Sequence, residues 1–77
     1  MTKAEFRQAI VGKTKAEVVN LLGPPSSVEE SSRDGLSDLW FYWPDKVAIY
    51  DPEAHTVMKS SARIDFTTDG FANSVGF

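Results

Sequence analysis

The tetrapeptide Thr-Lys-Ala-Glu occurs twice near the N-terminus, at positions 2–5 and again at 14–17. In each copy the Thr hydroxyl can accept a hydrogen bond from the backbone N–H three residues on, and the Glu carboxylate can accept from the backbone N–H of the Thr. This arrangement is a capping box, which starts a helix. The spacing leaves room for two short helices, so the repeat predicts a helix pair and not a duplicated domain.

An apolar stripe follows each capping box at helical spacing. The stripes are Phe6, Ala9 and Ile10 in the first helix, and Val18, Leu21 and Leu22 in the second. Gly12 can take the left-handed conformation that ends the first helix, and Gly23, followed by two prolines, ends the second. The helix pair is therefore predicted over residues 2–23.

The rest of the chain is typical of strands and turns. Residues 39–43 are all aromatic or apolar, which indicates a strand over 38–43. Shorter strands are predicted at 27–29 and at 47–50. The alternating stretch 57–67 leads into Asp69-Gly70, a dipeptide typical of a hairpin turn.

A two-residue turn at Asp69-Gly70 determines which residues of the hairpin face each other. The predicted pairs are Phe66 with Asn73, Ile64 with Val75, and Ala62 with Phe77, all on one face with Phe71. The opposite face then carries the small or polar side chains of Arg63, Asp65, Thr67, Ala72 and Ser74. A four-residue loop gives the same division, whereas a slip of one residue reverses it.

The apolar face of this hairpin needs a covering layer, and the helix pair supplies one. We therefore predict an α+β fold in which two N-terminal helices pack on a three- to four-stranded antiparallel sheet. The helix pair lies at 2–23 and the sheet at 38–77 of a single domain that spans 1–77. The chain contains no cysteine, so no disulfide stabilises its small core.

Three stretches, in the same order, resemble the BamE (SmpA/OmlA) family. The matching residues are Gly12, Thr14, Val18, Leu22, Gly23 and Pro25, then Trp40 and Tyr42, then Phe66 and Gly70. The resemblance implies an ααβββ fold that is BLIP-like, meaning related in shape to the β-lactamase inhibitor proteins. It also implies a non-enzymatic accessory role in the machine that assembles outer-membrane β-barrels.

Members of that family are typically outer-membrane lipoproteins, whereas this sequence shows neither an apolar leader nor a cysteine for lipidation. We therefore expect a cytoplasmic location for the chain as given. A periplasmic or outer-membrane-associated location is expected if such a segment has been removed. No apolar run approaches the ~18 residues of a membrane span.

The net charge of −3 comes from eight Lys and Arg against eleven Asp and Glu, and these charges are scattered along the chain. Because no basic face is evident, we expect no nucleic-acid binding. The single histidine, His55, lies in a polar stretch, and the acidic residues show no spacing typical of metal ligands or of a catalytic pair. We therefore expect no catalytic residues, no metal site and no cofactor.

The aromatic strand presents two rows of side chains, Trp40 with Tyr42 and Leu39 with Phe41 and Trp43. Apolarity alone favours burying the second row, because Trp40 and Tyr42 can keep polar tips in water. The family resemblance favours Trp40 and Tyr42 in the core. We take the family register and predict Leu39, Phe41 and Trp43 as partner-binding residues, with Trp40 and Tyr42 as the alternative.

The exposed row has three alternative explanations: a partner protein binds it, the segment from Val47 to Met58 folds over it, or it forms a dimer. The sequence predicts a small non-enzymatic protein-interaction domain that docks another protein through this face. The alternative is a small-molecule-binding or regulatory module with a pocket between helices and sheet, or a self-associating domain.

Overall fold

The structure is a computed structural model that describes residues 1–77. Its elements are α1 (Lys3–Ile10), α2 (Lys15–Leu22), β1 (Ser27–Glu30), β2 (Leu36–Tyr42), β3 (Tyr50–Asp51), β4 (Thr56–Val57), β5 (Ala62–Thr67) and β6 (Ala72–Gly76). Four strands form an antiparallel sheet in the order β1-β2-β5-β6, and β3 pairs with β4 in a separate ribbon. The α+β class, the two helices and the antiparallel sheet are therefore confirmed, and the sheet has four strands.

Both capping boxes form. The backbone N–H of Thr2 donates to Glu5 Oε1 at 2.8 Å, and that of Glu5 donates to Thr2 Oγ1 at 3.2 Å. Thr14 and Glu17 repeat the pattern at 3.1 and 3.2 Å. The hydrogen bond from the Thr backbone and then that from its hydroxyl hold the pKa of each Glu below its ordinary value. The repeated tetrapeptide therefore starts both helices, as predicted.

Each helix buries one side, and fewer apolar side chains of α2 are buried than its sequence predicts. Phe6 and Ile10 of α1 and Val18 of α2 are fully buried. Leu22 packs at the margin of the core, but Leu21 is 53% exposed. The predicted stripe is therefore correct for α1 and too wide for α2.

The core lies between the helices and one face of the sheet. It contains Trp40 and Tyr42 from β2, and Ile64 and Phe66 from β5, in one cluster with the buried helix residues. The Tyr42 hydroxyl donates to the backbone carbonyl of Gly23 at 2.8 Å, which satisfies its polar tip. The row with Trp40 and Tyr42 is thus the buried one, as the family register predicts.

The β5–β6 hairpin differs from its prediction at one point. Ile64 pairs with Val75 as expected, but Phe66 pairs with Ala72 because a bulge interrupts the ladder. Ala72 is consequently buried in the core, whereas Phe71 is 48% exposed and Asn73 is exposed. The predicted sides of these three residues are therefore wrong.

The cause is the loop between the two strands. Thr67 N–H donates to Phe71 O and Gly70 N–H donates to Thr67 O, both at 2.9 Å, so the loop has three residues and not two. Gly70 has φ +88°, which a non-glycine residue adopts only with strain. The connection between the helices holds the register, since Gly12 N–H donates to Ala72 O at 2.9 Å and Ala72 N–H donates to Lys13 O at 2.7 Å.

The segment between β2 and β5 packs on the helix side of the sheet. Val47 and Ile49 belong to the buried cluster, and Met58 packs against it. The backbone of Tyr50 donates to Met1 O at 2.6 Å, which ties the β3–β4 ribbon to the start of α1. The apolar residues of this segment therefore complete the core and do not cover the other face of the sheet. No helix has the length and apolar character needed to cross a membrane.

Candidate functional site

The sheet residues that alternate with the core positions point to its other face, where no helix packs. Two rows of paired residues cross this face from strand to strand. One is Glu29, Leu39, Asp65 and Ser74, and the other is Ser27, Phe41, Arg63 and Gly76. We call these eight residues, with Trp43 directly after β2, the outer face.

Three apolar side chains, Leu39, Phe41 and Trp43, form what we call the aromatic patch. Leu39 and Phe41 are partly buried, and Trp43 is 50% exposed. The backbone of Trp43 is held firmly, because its N–H donates to Ser26 Oγ at 3.1 Å and its carbonyl accepts from Lys46 N–H at 2.9 Å. The patch therefore presents a large aromatic side chain on a fixed backbone.

A buried carboxylate lies beside the patch. Asp65 is only 3% exposed and is the one charged residue in the chain that is buried. Its Oδ1 accepts from Arg63 Nε at 2.8 Å, and its Oδ2 accepts from the Ser74 hydroxyl at 2.8 Å. Both oxygens thus have donors, which offsets the cost of removing the charge from water.

Gly76 provides the space for the Arg63 side chain. A Cβ atom placed on Gly76 would lie 2.6 Å from an Nη atom of Arg63 and 2.8 Å from its Cζ. The guanidinium group therefore rests directly over the backbone of β6. Asp65 fixes one edge of this group and Gly76 leaves room for its flat surface, so its position is closely defined.

A cavity of about 240 Å³ opens at the end of the outer face near the β1–β2 connection. Residues 30–33 line one side of it, and Leu39, Arg63 and Asp65 line the sheet side. Arg33 and Arg63 are both among the residues that line this cavity. This end of the outer face is polar and charged, in contrast to the aromatic patch.

The alternative hypothesis places a pocket between helices and sheet, and none of the concavities of the structure lies there. That space is filled by side chains such as Phe6, Ile10 and Tyr42, which have no exposed surface. The two other concavities of the molecule lie beside the start of α1 and on the exposed side of α2.

His55 lies in the turn between β3 and β4, where it is exposed and has φ 54°. No group of three or more histidine or acidic side chains is placed to hold a metal ion.

Of the three predicted partner-binding residues, Leu39 and Phe41 lie on the outer face and Trp43 follows directly after β2. Their role in binding stays a prediction. Arg63, Asp65 and Ser74 lie on the face predicted for them, but their hydrogen-bond network and the cavity were not predicted. The available signal was the pair of opposite charges two residues apart, at Arg63 and Asp65, which a strand directs to the same side.

No family model, no curated protein and no solved structure matches the chain. The functional interpretation therefore rests on the geometry of the outer face.

Proposed function

We propose that the protein is a small non-enzymatic interaction domain that binds an extended segment of a partner protein on the aromatic patch. The observation that carries the proposal is the half-exposed side chain of Trp43, which follows directly after the strand that places Phe41 on the face of the sheet opposite the core. Tryptophan is enriched among the residues that dominate the energetics of protein interfaces. Its backbone here is already fixed, so binding would order little more than the side chain.

The size of the patch favours a short segment over a second copy of the chain. Fully exposed aromatic side chains offer about 150–250 Å2 each, so the exposed parts of Leu39, Phe41 and Trp43 add up to no more than roughly 250 Å2. A stable protein–protein interface buries about 800 Å2 on each side. The patch is therefore the centre of a contact and not a whole dimer interface.

The residues around the aromatic patch also favour an extended segment of a partner protein. The remainder of the outer face carries Glu29, Arg63 and, at its margin, Glu30 and Arg33. An apolar side chain of the partner would pack against the patch, and flanking polar residues of the same segment would meet these charges. The motif resemblance to the BamE family suggests that the partner is a subunit of a larger assembly.

Peptide selection with matched variants tests this proposal. A random dodecapeptide library displayed on phage is selected on the wild-type protein, and the enriched peptides are measured by fluorescence anisotropy. We expect Trp43→Ser and Phe41→Asp to weaken binding at least tenfold, while Phe71→Ser changes it less than twofold. Phe71 is the matched control because it is exposed to a similar extent but lies at the β5–β6 loop.

Two results would contradict the proposal. One is the absence of any enriched peptide whose binding depends on Trp43 or Phe41 in variants that circular dichroism shows to be folded. The other is a wild-type dimer in sedimentation equilibrium that Trp43→Ser converts to a monomer, because the patch would then be a self-association surface.

A further inference from the structure

We propose that the cavity beside Arg63 is a binding site for a single carboxylate group. Asp65, which lines this cavity, is buried. A carboxylate on the solvent side of a sheet has water available, yet this one is 97% removed from it. Its two oxygens hold the Arg63 guanidinium and the Ser74 hydroxyl. Such a network fixes an arginine in place, which is what a preformed anion site needs.

Part of the Arg63 side chain makes no hydrogen bond within the protein. Nε is occupied by Asp65, whereas the two terminal nitrogens carry four N–H donors. The side chain is 43% exposed, and it lines the cavity of about 240 Å³. The end-on edge of a guanidinium matches the two oxygens of a carboxylate, with two parallel hydrogen bonds.

The β1–β2 connection supplies further donors to the same cavity. Arg33 lines it with a side chain that makes no hydrogen bond or ion pair within the protein. The hydroxyl oxygen of Ser31 accepts from Arg33 N–H at 3.2 Å, so its proton is free to be donated. Ser32 adds a second hydroxyl. The cavity thus combines two positive side chains with small hydroxyl donors.

The charge of the lining selects the kind of anion. Arg33 and Arg63 bring two positive charges, and Glu30 and Asp65 bring two negative ones. Because these four charges cancel, the second charge of a phosphate gains little attraction here, whereas a carboxylate needs only one guanidinium edge. Leu39 provides an apolar wall for the carbon atoms next to the carboxylate. The volume is below that of a typical drug-sized pocket, so the group is small.

This site does not depend on the proposed docking function, although Leu39 borders both. Its test uses the protein alone, with sodium acetate as the probe. The side-chain Nε–H signals of the arginines are followed by NMR during titration with acetate, against sodium chloride at equal ionic strength. We expect the signals of Arg63 and Arg33 to shift and saturate with acetate, and not with chloride.

Matched variants test whether the NMR shifts during the acetate titration arise from binding in the cavity. Arg33→Gln should weaken acetate binding at least fivefold without affecting the fold, because its side chain has no internal partner. Arg63→Lys should weaken it at least tenfold, since an ammonium lacks the planar fork. Arg7→Gln removes the same charge from α1 and should change the affinity less than twofold. Gly76→Ala should also weaken binding, because it displaces the Arg63 guanidinium.

Two further probes define the source and the class of the ligand. An N-acetylated tripeptide with a free C-terminal carboxylate is compared with its amide. Tighter binding of the free acid than of acetate supports a peptide terminus as the source, whereas equal binding supports a small organic acid. Inorganic phosphate should bind more weakly than acetate. The proposal is overturned if phosphate binds more tightly, if acetate produces no saturable shift, or if Arg33→Gln leaves the affinity unchanged.

Discussion

The Tyr42 hydroxyl donates a hydrogen bond to the carbonyl oxygen of Gly23, 2.8 Å away, and so joins the end of β2 to the end of α2. The Gly23 carbonyl belongs to the residue that terminates the helix, where it has no partner within α2. One contact thus satisfies the tip of a buried aromatic residue and a free group at the helix end. It also fixes which row of the aromatic strand faces the helices.

Tyr42→Phe should cost about 1 kcal/mol of unfolding free energy, because the ring stays buried while the Gly23 carbonyl loses its donor. Equilibrium unfolding in urea measures this. Phe41→Leu is the matched control on the outer face, and it should cost clearly less. Equal costs for the two variants would contradict the assignment of Tyr42 to the core.

The same tyrosine should make stability depend on pH in the alkaline range. Burial raises the pKa of Tyr42 from 10.0 to about 12, so the folded protein holds this proton more tightly than the unfolded chain. The corresponding stability is fully present below pH 10 and is lost as the pH rises towards about 12. The urea midpoint should therefore decrease more between about pH 9 and about pH 11.5 for the wild type than for Tyr42→Phe. Equal decreases would mean that Tyr42 ionises as easily in the folded state.

The parts of this fold that the sequence predicts are those determined by neighbouring residues. Each capping box needs only a Thr and a Glu three positions later, and both form as expected. The aromatic strand is different, since its two rows are both apolar and the strand period alone does not choose between them. The choice depends on contacts such as Tyr42 with Gly23, which lie 19 positions apart.

In the hairpin and the candidate site, too, some features depend on residues that are distant in sequence and could not be predicted from local patterns. The side on which Ala72 lies is held by its hydrogen bonds to Gly12 and Lys13, which no local pattern near the turn reveals. Alternation groups Leu39, Phe41 and Trp43 in one row, but it does not show which row faces away from the helices. The cavity could not be predicted, because it depends on how residues 30–33 fold back towards Arg63.

The bulge in β6 leads to opposite expectations for two adjacent residues. Ala72→Asp would place a charge in the core and should cost about 3 kcal/mol or more. Asn73→Asp adds the same charge at an exposed position and should stay within about 0.5 kcal/mol of wild type. Thermal unfolding of the two variants measures the difference. A hairpin with a two-residue turn would give the reverse order.

Thr14→Ala should cost about 1 kcal/mol, because the variant loses the hydroxyl that accepts from Glu17 N–H. Thr14→Ser keeps that oxygen and should lower the free energy of unfolding by only about 0.3 kcal/mol. Urea unfolding at neutral pH compares the two variants. If both variants lose the same free energy, the methyl group of Thr14 and not its hydroxyl is the important part.

Acid should weaken the same capping box. Hydrogen bonds from the backbone and then the hydroxyl of Thr14 hold the pKa of Glu17 below 4.5. Its contribution is therefore present above about pH 4.5 and is lost as the pH falls through the lowered pKa. The stability difference between wild type and Glu17→Gln should shrink over that range. A difference that is constant with pH would indicate that the carboxylate does not accept these bonds in solution.

The two tryptophans should report the register of β2 separately. Trp40 is 9% exposed and Trp43 is 50% exposed. Trp43→Phe leaves the buried indole, so its emission should lie at shorter wavelength and resist quenching by acrylamide. Trp40→Phe leaves the exposed indole, which water relaxes and which acrylamide reaches, so its quenching constant should be several-fold larger. Circular dichroism confirms that each variant is folded. If the buried behaviour belongs to Trp43 instead, the aromatic patch faces the helices and the proposed docking surface does not exist.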